Sequence, residues 1–157
     1  MAKLITVQYQ KCMYPKDIKP NIYEVACHCD KKTLNIRGNY SLHTEYSFMG
    51  RKFDSEGIQK YNVICNANKK GIPMLWYSKE WALEFAGFIV EITKGEIPPS
   101  VIEIHPPFSD YSDLDVFIDL YKVFDEKIRN YFPDVVILIE NRSGTSYSGG
   151  KFILSKM

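Results

Sequence analysis

Along the second half of the chain, apolar positions switch between two rhythms. Trp81, Phe85, Phe88 and Ile92 recur at spacings of four, three and four, which puts them on one face of a helix. Ser78 is placed to cap that helix, and Gly95 after Lys94 supplies its stop. Pro98 and Pro99 bar any continuation, and Val101-Ile102-Glu103-Ile104-His105 then reads as a short β-branched strand of the kind buried in a parallel sheet. His105-Pro106-Pro107 ends it. A second stripe, Phe117, Leu120, Tyr121, Phe124, Ile128 and Tyr131, predicts another helix, with Ser112 as its cap and Asp113 and Asp115 in its first turn. Pro133 closes that helix, and Val135-Val136-Ile137-Leu138-Ile139-Glu140 reads as a second fully apolar strand. Helix, strand, helix, strand with short loops implies right-handed crossovers and a parallel sheet, hence an α/β architecture.

The first half carries weaker signals. Leu4-Ile5-Thr6-Val7-Gln8-Tyr9 has the β-branched character of a first strand and precedes a loop with Pro15 and Pro20. Ile22 to Cys29 and Thr33 to His43 read as strands, from Leu34, Ile36, Tyr40 and Leu42, with Gly38 as a break and His43 near a strand end. Ser55 to Asn68 places Ile58, Tyr61 and Cys65 at helical spacing and runs into Lys69-Lys70-Gly71, which predicts a short helix with a cationic last turn. No repeat, low-complexity tract or linker divides the chain, so residues 1–157 read as a single α/β domain.

Composition changes this picture mainly by exclusion. Lys and Arg number 20 against 19 Asp and Glu, a formal charge of +1, so the global field that non-specific nucleic-acid binders use is absent and nucleic acid is disfavoured. Apolar runs such as Val135 to Ile139 fall far short of the roughly 18 residues of a membrane span. Cys12, Cys27, Cys29 and Cys65, without an N-terminal apolar leader, fit free thiols in a reducing cytoplasmic compartment. At 157 residues, the chain is shorter than the roughly 200 that a complete eight-stranded β/α barrel requires.

Chemistry in parallel α/β sheets gathers at the carboxyl ends of strands. Both of the clearest strands are apolar until they end in an ionisable residue, His105 in one and Glu140 in the other. Alternation groups Val101, Glu103 and His105 on one face, and Val136, Leu138, Glu140 and Arg142 on the corresponding face. A carboxylate at such a position calls for a compensating cation, either Arg142 or a metal ion, and histidine with carboxylate is a donor set used for zinc and manganese.

Three segments, Ser41-Leu42-His43-Thr44-Glu45-Tyr46, Ile104-His105-Pro106 and Leu138-Ile139-Glu140-Asn141-Arg142-Ser143-Gly144, resemble the metal-bearing strand ends of the xylose-isomerase-like barrel superfamily. That group includes sugar-phosphate isomerases and epimerases and the zinc-dependent apurinic endonucleases. His105 and Glu140 lie 35 residues apart, room for one helix and a return to the sheet. His43 and His105 lie 62 apart, which requires an insertion around Arg51 to Tyr77. The resemblance implies a partial (β/α) TIM-type barrel with about five of eight strands. It implies His43, His105 and Glu140 as ligands of a divalent ion (zinc, manganese or magnesium), His105 and Glu140 as catalytic groups, and Asn141 and Arg142 as substrate-binding residues, with Gly144 shaping the loop. The implied activity is metal-dependent isomerisation or epimerisation of a sugar or sugar phosphate. The alternatives are an apurinic-endonuclease-like hydrolase, or an inactive partial barrel that serves as a binding or assembly module, where a homo-oligomer would cover the open sheet.

Other motifs have plainer readings. On a strand the thiols of Cys27 and Cys29 face away from His28, and the Gly-rich segment 144–150 lacks the lysine of a P-loop and reads as a site loop. Lys31-Lys32, Arg51-Lys52 and Lys69-Lys70 are isolated basic pairs on the surface.

Overall fold

A computed structural model of the chain describes residues 7–9, 21–26, 36, 38–44, 60–69, 72–140 and 151–154. The elements are β1 (Val7–Tyr9), β2 (Ile22–Ala26), β3 (Tyr40–His43), α1 (Asn62–Asn66), β4 (Asn68–Lys69), β5 (Ile72–Pro73), α2 (Lys79–Ile92), β6 (Val101–Ile104), α3 (Leu114–Arg129) and β7 (Val136–Ile139). The main sheet runs in the order β1-β2-β3-β6-β7, and every neighbouring pair in it is parallel. The α/β class and the parallel sheet expected from the pattern are therefore present. β4 and β5 form a separate antiparallel ribbon.

Register divides the sheet into two chemically distinct faces. Val25 pairs with Leu42, and Leu42 with Ile102, so these residues share a face and join Tyr40 and Ile104 in one core with the aromatic stripes of α2 and α3. Glu24 pairs with Ser41, His43 with Glu103, and Glu103 with Leu138, which places their side chains on the opposite face. A strand that alternates apolar and ionisable residues puts its core on one side and its chemistry on the other.

Within the core, Trp76, Trp81, Phe85 and Phe124 are all fully buried, and their rings meet at centroid distances between 4.7 and 6.0 Å. Offset and edge-on contacts of this kind stabilise beyond the area they bury. α2 begins as its sequence predicts, with the Ser78 hydroxyl accepting a hydrogen bond from the Trp81 amide at 3.1 Å. It ends in a turn that needs Gly95, whose φ of +82° lies in the left-handed region.

Four expectations are corrected. The cap of α3 is Asp113 rather than Ser112: its carboxylate accepts from the Val116 amide at 2.9 Å, and a carboxylate also suits the positive end of the helix dipole. Tyr131 lies past the end of α3 and is exposed, its ring beneath the Lys127 ammonium at 5.7 Å rather than in the stripe. In the segment read as a helix over Ser55 to Asn68, residues 55–59 lie outside the described residues, α1 covers Asn62–Asn66, and Asn68–Lys69 is extended as β4. Its first amides find their acceptor across the fold, where the Glu84 carboxylate takes hydrogen bonds from Val63 and Ile64 at 2.9 and 3.1 Å. Finally, β7 is apolar yet exposed, with Val136 at 57% and Leu138 at 48%, because among the described residues only β6 flanks it.

Burial sets an alkaline limit on this fold. Tyr40 and Tyr111 are pushed well above the ordinary phenol range by desolvation, and Tyr61 by desolvation and then its hydrogen bond to Glu91. Their pKa values are raised on folding, so the stability they contribute is intact below about pH 10, where unfolded tyrosine ionises, and is lost as pH rises beyond it. Phenolate absorbance at 295 nm from Tyr40, Tyr61 and Tyr111 should therefore appear only above about pH 10, together with loss of circular dichroism. Complete phenolate formation by about pH 10 with unchanged dichroism would contradict this.

Candidate metal centre

β3, β6 and β7 end side by side, and the residues at their carboxyl ends carry the site. His43 closes β3, His105 follows β6 and Glu140 follows β7, with the Glu140 amide bonded to the Ile104 carbonyl at 2.8 Å. The Glu140 Oε2 atom lies 3.0 Å from His105 Nε2 and 3.3 Å from His43 Nε2. One donor atom from each of the three residues falls within 4.8 Å of the others. The two imidazoles lie with ring centroids 5.0 Å apart. The three residues singled out from sequence are thus brought together at one end of the sheet.

A second set of groups surrounds His43 from behind. Its Nδ1 lies 2.8 Å from Glu24 Oε1 and 3.8 Å from Glu103 Oε2. Glu103 is occupied elsewhere: its carboxylate accepts from the Ser41 hydroxyl, and its backbone carbonyl accepts from the Thr44 hydroxyl at 2.7 Å and the Thr44 amide at 3.2 Å. Among the described residues, three carboxylates face two imidazoles, so acidic groups outnumber basic ones in the cluster. Such a cluster attracts cations.

His105 is held from the core side. The indole N–H of Trp76 donates to the His105 carbonyl at 2.6 Å, and Trp76 itself sits at φ +57°, a conformation that costs a bulky residue about 1–3 kcal/mol. Four aromatic neighbours, Trp81, Phe85, Phe117 and Phe124, hold it there. On the other side, the Phe152 ring lies 6.2 Å from that of His105 and stacks on Phe108 at 4.3 Å. The segment carrying Phe152 is fastened by Ile153 donating to the Pro107 carbonyl at 3.0 Å and Ser109 to the Lys151 carbonyl at 2.7 Å. Side-chain exposure grades from 2% at His105 and 7% at His43 to 37% at Glu140, so the centre opens towards solvent on the Glu140 side.

Asn141 and Arg142, expected to bind substrate, and Gly144 lie outside the described residues, as do Cys12, Cys27, His28 and Cys29. The thiol of Cys65 has its pKa raised by burial and then by the Glu84 charge, the opposite of an activated nucleophile. Sequence reasoning puts Glu103 on the right face without giving it a role and passes over Glu24, Ser41, Thr44, Trp76 and Phe152. The signal for Glu24 is a single ionisable side chain in the apolar run Ile22-Tyr23-Glu24-Val25-Ala26. No described helix is long and apolar enough to cross a membrane. Comparisons of the chain with protein-family models, curated proteins and solved structures return no match.

Proposed function

We propose that His43, His105 and Glu140 hold a divalent metal ion, in a centre of the xylose-isomerase-like type that acts on a sugar, a sugar phosphate or a related polyol. One observation carries the reading: the Nε2 and carboxylate atoms at 3.0 and 3.3 Å. Zinc bonds of about 2.0–2.1 Å at tetrahedral angles separate neighbouring donors by about 3.3–3.4 Å, so the two separations from Glu140 Oε2 to the imidazoles already approach those of a zinc site. Two imidazoles with one carboxylate favour zinc or another imidazole-binding first-row ion over magnesium, which prefers oxygen. Among the described residues three ligands converge, the number that catalytic zinc sites take from the protein.

When bound, the ion would polarise a substrate oxygen or acidify a bound water. The chain's own part is to bind and orient. Trp76 fixes the backbone at His105, Glu24 holds the ring of His43, and Phe108 with Phe152 keeps water from the His105 side. Glu140, the most exposed of the three, faces the direction from which substrate arrives. The acid–base and ligand roles for His105 use the same Nε2 atom, so they exclude each other at any one moment. A parallel sheet with helices packed on one face and ionisable groups on the other also supports the arrangement of a partial barrel, in which the second face would be the interior.

The reading is tested by assaying isomerisation and epimerisation of sugar phosphates, and cleavage of abasic-site DNA, with zinc, manganese or magnesium added. Turnover of a sugar phosphate that depends on a zinc-class ion and disappears in His105→Ala is the expected result. Cleavage of abasic DNA alone would move the chain to the hydrolase branch. The exposed edge at β7 favours a second reading, a partial barrel serving as a binding or assembly module, and that reading gives metal binding without turnover of either substrate.

A further inference from the structure

A neutral imidazole has one N–H, and which nitrogen carries it decides where the ring can bind a metal. In His43, Nδ1 lies 2.8 Å from Glu24 Oε1 in hydrogen-bonding geometry. An ionised carboxylate only accepts, so the bond requires the hydrogen on Nδ1. The remaining lone pair is then on Nε2, which faces Glu140 Oε2 at 3.3 Å and lies beside His105. Glu103 is poorly placed to hold this proton. At 3.8 Å it is beyond hydrogen-bond reach of Nδ1, and it is already engaged by Ser41.

Register gives Glu24 its position. It pairs with Ser41 across β2 and β3, two residues before His43 and on the same face. Its carboxylate therefore reaches His43 from the neighbouring strand, opposite the side where Glu140 stands. We infer that Glu24 is a positioning residue that fixes the Nδ1–H tautomer of His43 and aims its Nε2 at the metal position, a role that rests on the proposed metal centre. A carboxylate behind a ligating histidine both locks the ring and raises its basicity as a ligand. The competing arrangement, an ion held by Glu24, Glu103 and Nδ1 of His43, uses atoms that also lie within 4.8 Å of one another, but it needs the hydrogen on Nε2. Only one of these can hold.

The test uses the full chain, free of metal and labelled with ¹⁵N, at a pH where the imidazoles are neutral. Long-range ¹H–¹⁵N correlation reads the His43 tautomer directly, and zinc titration reads affinity. The wild-type chain should show Nδ1–H at His43. Glu24→Ala should lose that fixed tautomer and bind zinc about 10–100-fold more weakly. Glu24→Gln, whose amide oxygen still accepts from Nδ1, should keep the tautomer and lose less affinity than Glu24→Ala. Glu103→Gln should keep the tautomer and lose less affinity than Glu24→Ala. An Nε2–H tautomer in the wild-type chain, or a Glu24→Ala variant that keeps its tautomer and zinc affinity, would overturn the inference. A wild-type chain that binds no zinc would remove the metal centre itself, while the tautomer spectrum of the same sample would still decide whether Glu24 orients His43.

Discussion

Replacing Glu140 by alanine should weaken zinc binding by more than about 100-fold, beyond the range expected for losing a carboxylate that only orients a ligand. Glu140 supplies the negative charge of the triad and the atom that both Nε2 groups approach, at 3.0 and 3.3 Å. Each tenfold loss is about 1.4 kcal/mol, so the change amounts to at least about 2.8 kcal/mol of binding free energy. The fold should tolerate it. Glu140 lies past the end of β7, its side chain is 37% exposed, and removing it relieves a cluster already rich in carboxylates. Zinc at about 100 times its dissociation constant should stabilise the wild-type chain by about 2.7 kcal/mol and the variant hardly at all. A thermal melt with and without zinc separates the two, and equal zinc-induced shifts in both chains would contradict the triad.

The second large effect concerns the core behind the site. Phe124→Ala should destabilise the chain by about 3–5 kcal/mol, the usual cost of emptying a buried aromatic position. Phe124 is fully buried, with its ring 5.2 Å from Trp76 and 5.6 Å from Phe85, so the cavity would open where α3 meets the α2 cluster. Against a typical total stability of about 5–15 kcal/mol, this is a large fraction. The melting temperature should fall by about 2–4 °C for each kcal/mol lost. Val116, on the same helix but 44% exposed, is the control: Val116→Ala should stay within about 0.5 kcal/mol of wild type. Similar small effects at both positions would mean that α3 does not dock through its aromatic stripe.

Much of this was legible from side-chain spacing. Trp81, Phe85, Phe88 and Ile92 repeat with the period of a helix, and α2 occupies that stretch from Lys79 to Ile92. Val101 to Ile104 is extended, and the ionisable residue that follows it lies at the mouth of the sheet, as the step from apolar run to His105 implied. What was not legible depended on contacts distant in sequence or on local geometry. Ser112 and Asp113 are both competent caps, and the choice between them turns on which oxygen meets the Val116 amide. Apolar β7 reads as buried from composition, which reports the preference of a strand rather than its place in the sheet order. Glu24 gains its significance from strand pairing: only the register of β2 on β3 places it behind His43.

X-ray absorption at the zinc edge of the wild-type chain, loaded with one equivalent of zinc, tests the metal triad most directly. The expected spectrum has a shell of nitrogen and oxygen donors at about 2.0–2.1 Å with the multiple-scattering signature of two imidazoles, and no sulfur at about 2.3 Å. A sulfur shell, a single imidazole, or failure of the chain to retain zinc would contradict it.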